Sequence, residues 1–147
     1  ARSGKQVIVR SRSISTASQM KDAVAKSLEK QVAKEKITQT VSDQTLANIT
    51  LTDDLASLRE CDLVIESIVE DLEAKVALFR ELDTVTRPET ILATNTSTLA
   101  VIELAKSTNR PDRVCGIHFF NPATLMPLVE IIRPLTASDE TIAIATD

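Results

Sequence analysis

The sequence predicts an α/β fold in which a mostly parallel sheet carries helices on both faces. Two observations predict it. Short β-rich runs alternate with helical patterns along the 147 residues, and such alternation implies right-handed crossovers between parallel strands. The polar residues that stand out fall just after the β-rich runs, at the sheet edge where folds of this kind bind ligands. No internal repeat or low-complexity segment interrupts the pattern.

The candidate strands, in order, are Gln6–Arg10, Ile49–Leu51, Leu63–Ile68, Thr90–Ala93, Arg113–Ile117 and Pro127–Ile132. Between the first two, Met20, Val24, Leu28 and Val32 recur every four residues and predict a long helix with an apolar stripe. A shorter helix comes next, around Asp43–Ala47. Leu72, Val76, Phe79 and Leu82 make one stripe in a helix over Asp71–Thr86. Asp71 and Glu73 suit its first turn, because carboxylates favour the positive end of a helix. Leu99–Lys106 is another helix, and Ser138-Asp139 begins a last one. The whole reads as a Rossmann-like domain.

Composition narrows the function classes. With 43% hydrophobic residues, 26% charged residues and two glycines, the chain is expected to bury a core, and disorder is disfavoured. No apolar run approaches the roughly 20 residues of a membrane span, and the start "ARSGKQVIVR" shows no secretory leader pattern, so a cytoplasmic location is expected. A net charge of −4 with 2% aromatics argues against nucleic-acid binding, which needs a basic face and stacking residues. Cys61 and Cys115 lie in or beside apolar segments with no Cys-x-x-Cys. They read as reduced thiols, and no metal site is expected.

After the first strand comes Ser11-Arg12-Ser13, after the third Glu70, after the fourth "TNTST", and after the fifth His118 and Asn121. Each alone has a structural reading as well: Ser, Thr and Asn cap helices, Glu70 suits the adjoining helix N-terminus, and a lone histidine or a Phe-Phe pair is often core. Their convergence on one sheet edge favours function. His118, the only histidine, precedes Glu130 by twelve residues across a Pro-bounded loop that can set their strands side by side. A carboxylate on one imidazole nitrogen fixes the tautomer and leaves the other as a general base. A buried pair that only ties two strands is the alternative.

The segments "LVIESIVEDLEAKVALFRELD", "ILATNTSTLAVIELA" and "RPDRVCGIHFFNPATLMPLVEIIR" resemble the NAD-binding domain of the 3-hydroxyacyl-CoA dehydrogenases, over essentially the whole chain. The resemblance implies NAD-dependent oxidation of an L-3-hydroxyacyl-CoA to the 3-ketoacyl-CoA. It implies His118 as catalytic base and Glu130 as its orienting acid, with Ser97 and Asn121 around the reacting oxygen of the substrate. Glu70 and Lys75 match positions near the nicotinamide, with Asn95 also on the cofactor side. Ser27 and Lys34 match residues that contact CoA. Lys26, Lys30 and Lys34 also form a basic stripe suited to an anionic nucleotide, or simply a solvated helix face.

Two departures qualify the resemblance. The family opens with a strand and a G-x-G-x-x-G turn that receives the pyrophosphate, whereas the glycines here are Gly4 and Gly116. "GKQVIVRSRS" resembles the family's next segment, the end of the first helix and the second strand. Residues 1–147 are therefore expected to be a partial NAD(P)-binding domain lacking the first strand and glycine-rich turn, inactive alone. In the family a further helical domain completes the cleft and forms a homodimer; that domain is expected outside this chain. The second departure is Ser11, where NAD users usually carry an acidic residue for the adenosine ribose; with Arg10 and Arg12 beside it, the pattern also suits the 2′-phosphate of NADP. A non-catalytic, truncated or degenerate module that binds a partner chain is the competing reading.

Overall fold

The computed structural model describes residues 1–123 and 126–147. Its elements in chain order are β1 (Val7–Arg10), α1 (Ile14–Ala33), α2 (Gln39–Ala47), β2 (Ile49–Thr52), β3 (Leu63–Glu66), α3 (Leu72–Val85), β4 (Ile91–Thr94), α4 (Val101–Ala105), β5 (Val114–Phe119), β6 (Val129–Ile132) and α5 (Asp139–Thr146). The six expected strands are all present, with ends moved by one to a few residues. They fall into two compact units, Ala1–Ser57 and Leu58–Asp147.

In the first unit β1 and β2 pair in parallel, from Val7 opposite Ile49 to Arg10 opposite Thr52. The helices α1 and α2 make the crossover between them. Ser13 caps α1 by accepting the Thr16 N–H, and Thr38 caps α2 by accepting that of Val41, each at 3.3 Å. The inward face of α1 is not quite the expected stripe. Ala17 and Leu28 are buried, but Met20 is 52% and Val24 38% exposed. The reason is geometric: at 3.6 residues per turn a four-residue spacing slants around the helix, so one end of the stripe turns away from the strands. Lys21 fills part of that face, its Nζ donating to the Ile49 carbonyl at 2.7 Å.

In the second unit the strand order is β3-β4-β5-β6, parallel except for β6, which runs antiparallel to β5. Ile91, Ala93, Cys115 and Ile117 form the core on one face, covered by Ile142 and Ala145 of α5. Alternation along the strands turns Gly116 to the other face, where Val101 of α4 lies close. Burial pushes the Cys115 thiol up to about 11, so it stays protonated as a core residue; Cys61 is half-buried and also free. Asp71 and Ser138 cap α3 and α5 by accepting the N–H groups of Ala74 at 2.8 Å and Thr141 at 3.1 Å.

The mostly parallel pairing is as expected. Hydrogen bonding divides the strands into a two-stranded and a four-stranded sheet. Among the described residues β1 and β3 each pair on one side only, and the sequence offers no seventh β-rich run to cover either edge. No helix among the described residues is long and apolar enough to cross a membrane.

Candidate active site

The carboxyl ends of β3, β4 and β5 carry the polar cluster. At β5 the register sets His118 directly opposite Glu130 of β6, and His118 Nδ1 lies 2.9 Å from Glu130 Oε2. The antiparallel pairing explains the twelve-residue spacing, because the loop after Phe119 returns the chain alongside itself. The imidazole side chain is 17% exposed and the carboxylate 52%. Phe120 shields the imidazole, with ring centroids 4.9 Å apart. A carboxylate on Nδ1 selects the tautomer protonated there and leaves the Nε2 lone pair for a substrate proton.

At β3 and α3 the charges are deeper. Glu66, at the end of β3, is 3% exposed. It accepts from Lys75 Nζ at 2.7 Å, from Thr94 Oγ1 at 2.7 Å and from the Ile68 N–H at 2.6 Å. Lys75 Nζ also pairs with Glu70 Oε2 at 3.2 Å. The other Glu70 oxygen accepts from the Thr96 hydroxyl, the Ser97 N–H and the Thr98 hydroxyl. The Thr96 hydrogen bond, with Lys75 and the Ser97 N–H, outweighs burial and lowers the Glu70 carboxyl to about 2. Glu70 is thus an anion with 38% of its side chain exposed.

The expected site residues separate into groups. His118, Glu130, Ser97, Glu70, Asn95 and Asn121 all follow or flank the strand ends of the second unit, and Ser97 and Asn121 are exposed. Lys75 has no exposed surface, whereas 38% of the Glu70 side chain is exposed. Asn95 has its carboxamide engaged at both ends: Oδ1 accepts the Phe119 N–H and Nδ2 donates to Ser67 Oγ, each at 2.8 Å. Ser11, Ser27 and Lys34 belong to the first unit. Ser11 follows β1, its N–H held by the Thr52 carbonyl at 3.1 Å. Ser27 and the exposed Lys34, seven apart along α1 and its C-terminal end, share one side of the helix.

Glu66 and Thr94 were missed by sequence reasoning. The signal was Lys75, which sits at an inward position of the α3 stripe beside Val76 and Phe79. A lysine there needs a buried carboxylate, and Glu66 is the acidic residue inside the adjoining apolar run.

The family model of the 3-hydroxyacyl-CoA dehydrogenase NAD binding domain matches residues 1–147. The chain belongs to this family. The 3-hydroxybutyryl-CoA dehydrogenase of Mycobacterium tuberculosis is similar, 40% identical over 148 residues that cover 100% of this chain and 51% of the relative. Two crystal structures of 3-hydroxybutyryl-CoA dehydrogenases share the dehydrogenase fold, each at 36% identity and a TM-score of 0.95. The Escherichia coli structure is matched over 99% of this chain and 31% of its own, and the Ralstonia eutropha structure over 97% and 50%. The chain spans about half the length of the curated relatives it matches.

Proposed function

We propose that this chain contributes the catalytic dyad and the nicotinamide side of an enzyme that oxidises L-3-hydroxyacyl-CoA to 3-ketoacyl-CoA. The observation that carries the reading is the 2.9 Å contact between His118 Nδ1 and Glu130 at the carboxyl edge of the sheet. His118 Nε2 takes the proton of the 3-hydroxyl group, and Glu130 stabilises the imidazolium that results. Ser97 and Asn121, both exposed, would hydrogen-bond the reacting oxygen. When bound, NAD supplies the acceptor for the hydride that leaves carbon 3.

The residues present fit the nicotinamide end. Glu70 offers an ionised, partly exposed acceptor, fixed by Thr96 and Lys75. Ser11 would face the adenosine ribose, and Ser27 and Lys34 the CoA. The sequence holds no G-x-G-x-x-G, so the pyrophosphate cradle is assigned to none of these residues. We extend this reading to an acyl-CoA substrate and a homodimeric whole protein, on the strength of the family, and to a cytoplasmic location.

The test is steady-state kinetics of the full-length protein. His118→Ala or Glu130→Gln should lower kcat by about 100-fold or more while KM changes little, because proton transfer belongs to the transition state. Near-normal turnover in both variants would sink the assignment of His118 and Glu130 as the dyad, and no NAD-dependent oxidation by the unsubstituted full-length protein would favour the non-catalytic module.

A further inference from the structure

We infer that Asn95 is a positioning residue for His118, acting through the backbone of β5; the inference rests on the reading of His118 as the base. The pairing of β4 with β5 ends at Thr94 opposite Gly116. Ile117, His118 and Phe119 therefore project past the last strand-to-strand partner that β4 provides. Beyond that point their strand partner is β6, whose residues Val129 and Glu130 are exposed. A base carried on such an overhang needs a further restraint, because a misplacement of about 1 Å can cost roughly 100-fold in rate.

Asn95 supplies the restraint. Its own N–H donates to the Glu66 carbonyl at 2.8 Å, which extends the β3–β4 pairing by one step. Its Oδ1 accepts the N–H of Phe119, the residue after His118, at 2.8 Å. Its Nδ2 donates to Ser67 Oγ, also at 2.8 Å. The backbone N–H of Phe119 can only donate, so the carboxamide orientation is settled: oxygen toward β5, nitrogen toward Ser67. One side chain thus stands in for the residue that β4 lacks and pins the peptide after His118 to the tip of β3.

Chemistry explains why an amide suits the position. The site needs an acceptor toward Phe119 and a partner for a hydroxyl on the other side, and a short neutral carboxamide meets both needs. It was expected on the cofactor side; the two side-chain bonds it makes here run to Phe119 and Ser67. Its effect on catalysis therefore passes through His118.

Hydrogen exchange at the Phe119 amide and steady-state kinetics, both in the full-length protein, test the inference. Asn95→Ala should speed exchange at Phe119 at least 10-fold and lower kcat about 10- to 100-fold, with KM for NAD and for the acyl-CoA within about 2-fold. Asn95→Asp keeps an acceptor for Phe119 and lets Ser67 donate in turn, so it should restore both exchange protection and most of kcat. Should Asn95→Ala fail to fold, Ser67→Ala serves: it frees one end of the amide and should give an intermediate loss of both. Unchanged exchange at Phe119 in Asn95→Ala would overturn the inference. So would a raised KM for NAD with kcat intact, which would mark Asn95 as a cofactor ligand. Failure of the reading of His118 as the base is separate: it appears as full turnover in His118→Ala, whatever the exchange result.

Discussion

A single added methyl at Gly116 tests whether the approach of β5 to β6 sets the dyad. A Cβ built there would lie 2.8 Å from Ile132 Cβ, 2.9 Å from Ile132 Cδ1 and 3.3 Å from Val101 Cγ2. Carbon atoms rest at about 3.5–4.0 Å, so the first contact lacks roughly 0.7 Å. The Ile132 δ-carbon can rotate away; its β-carbon moves only with the backbone of β6. Overpacking of this kind costs about 1–3 kcal/mol, and a glycine replaced by alanine in a strand regains up to about 1 kcal/mol of that. A net loss of about 1–2 kcal/mol corresponds to a fall in Tm of roughly 2–8 °C at this size. The dyad lies two residues along both strands on the same side of the sheet. Displacing β6 by the missing distance would stretch the 2.9 Å contact to about 3.6 Å, beyond hydrogen-bond range. Gly116→Ala should therefore lower both Tm and kcat, and Ile132→Ala should not rescue it, because the β-carbon remains. A Tm within about 1 °C of the parent with kcat unchanged would refute the reasoning, since β6 would then yield without moving Glu130.

Three further outcomes depend on particular contacts. Because the folded Glu70 carboxyl is lowered to about 2 from an ordinary 4.5, its stabilising contribution is complete above about 4.5 and is lost as pH falls toward 2. Chemical unfolding across pH 2–6 should accordingly show the gap between the parent and Glu70→Gln closing over that interval; a constant gap would mean that the Thr96 bond does not depend on the charge. Arg110 and Asp83 form an ion pair with side chains 9% and 7% exposed, and Arg110 also bonds the carbonyls of Asp83 and Thr86 at the end of α3. Arg110→Ala should cost about 3–5 kcal/mol by stranding a buried carboxylate, and Arg110→Lys an intermediate amount, both read from denaturant midpoints. Ser11→Asp in the full-length protein should raise the preference for NAD over NADP about 10-fold or more, measured as a ratio of kcat/KM, because a carboxylate accepts ribose hydroxyls and repels a 2′-phosphate.

The features legible in the sequence were local ones. Strand–helix alternation, the helix starts near Asp71 and Ser138, and the pairing of His118 with Glu130 all depend on residues near one another in the chain. Those that escaped depend on which strand meets which. Gly116 reads as an ordinary glycine until Ile132 is set against it. Asn95 reads as turn chemistry or a cofactor contact until Phe119 arrives from twenty-four residues away. The burial of Ala17 in place of Met20 follows from how far around α1 the strands reach, which a periodicity cannot state.

Glu66 and Lys75 show the same limit from the energetic side. Burying two opposite charges costs several kcal/mol for each ion before any attraction is counted, and an apolar pair of similar volume is often as stable. Stability alone therefore does not account for them. Lys75, however, has a second partner: the ammonium that satisfies Glu66 at 2.7 Å also reaches Glu70 at 3.2 Å. The buried carboxylate holds the ammonium in place, and the ammonium steadies a carboxylate that is itself 38% exposed at the carboxyl edge of the sheet. An apolar substitute could fill the volume under β3 and α3 and would leave Glu70 with only the Thr96–Thr98 turn. The pair is better understood as the foundation of Glu70 than as part of the core, just as Asn95 is the foundation of the β5 tip that carries His118.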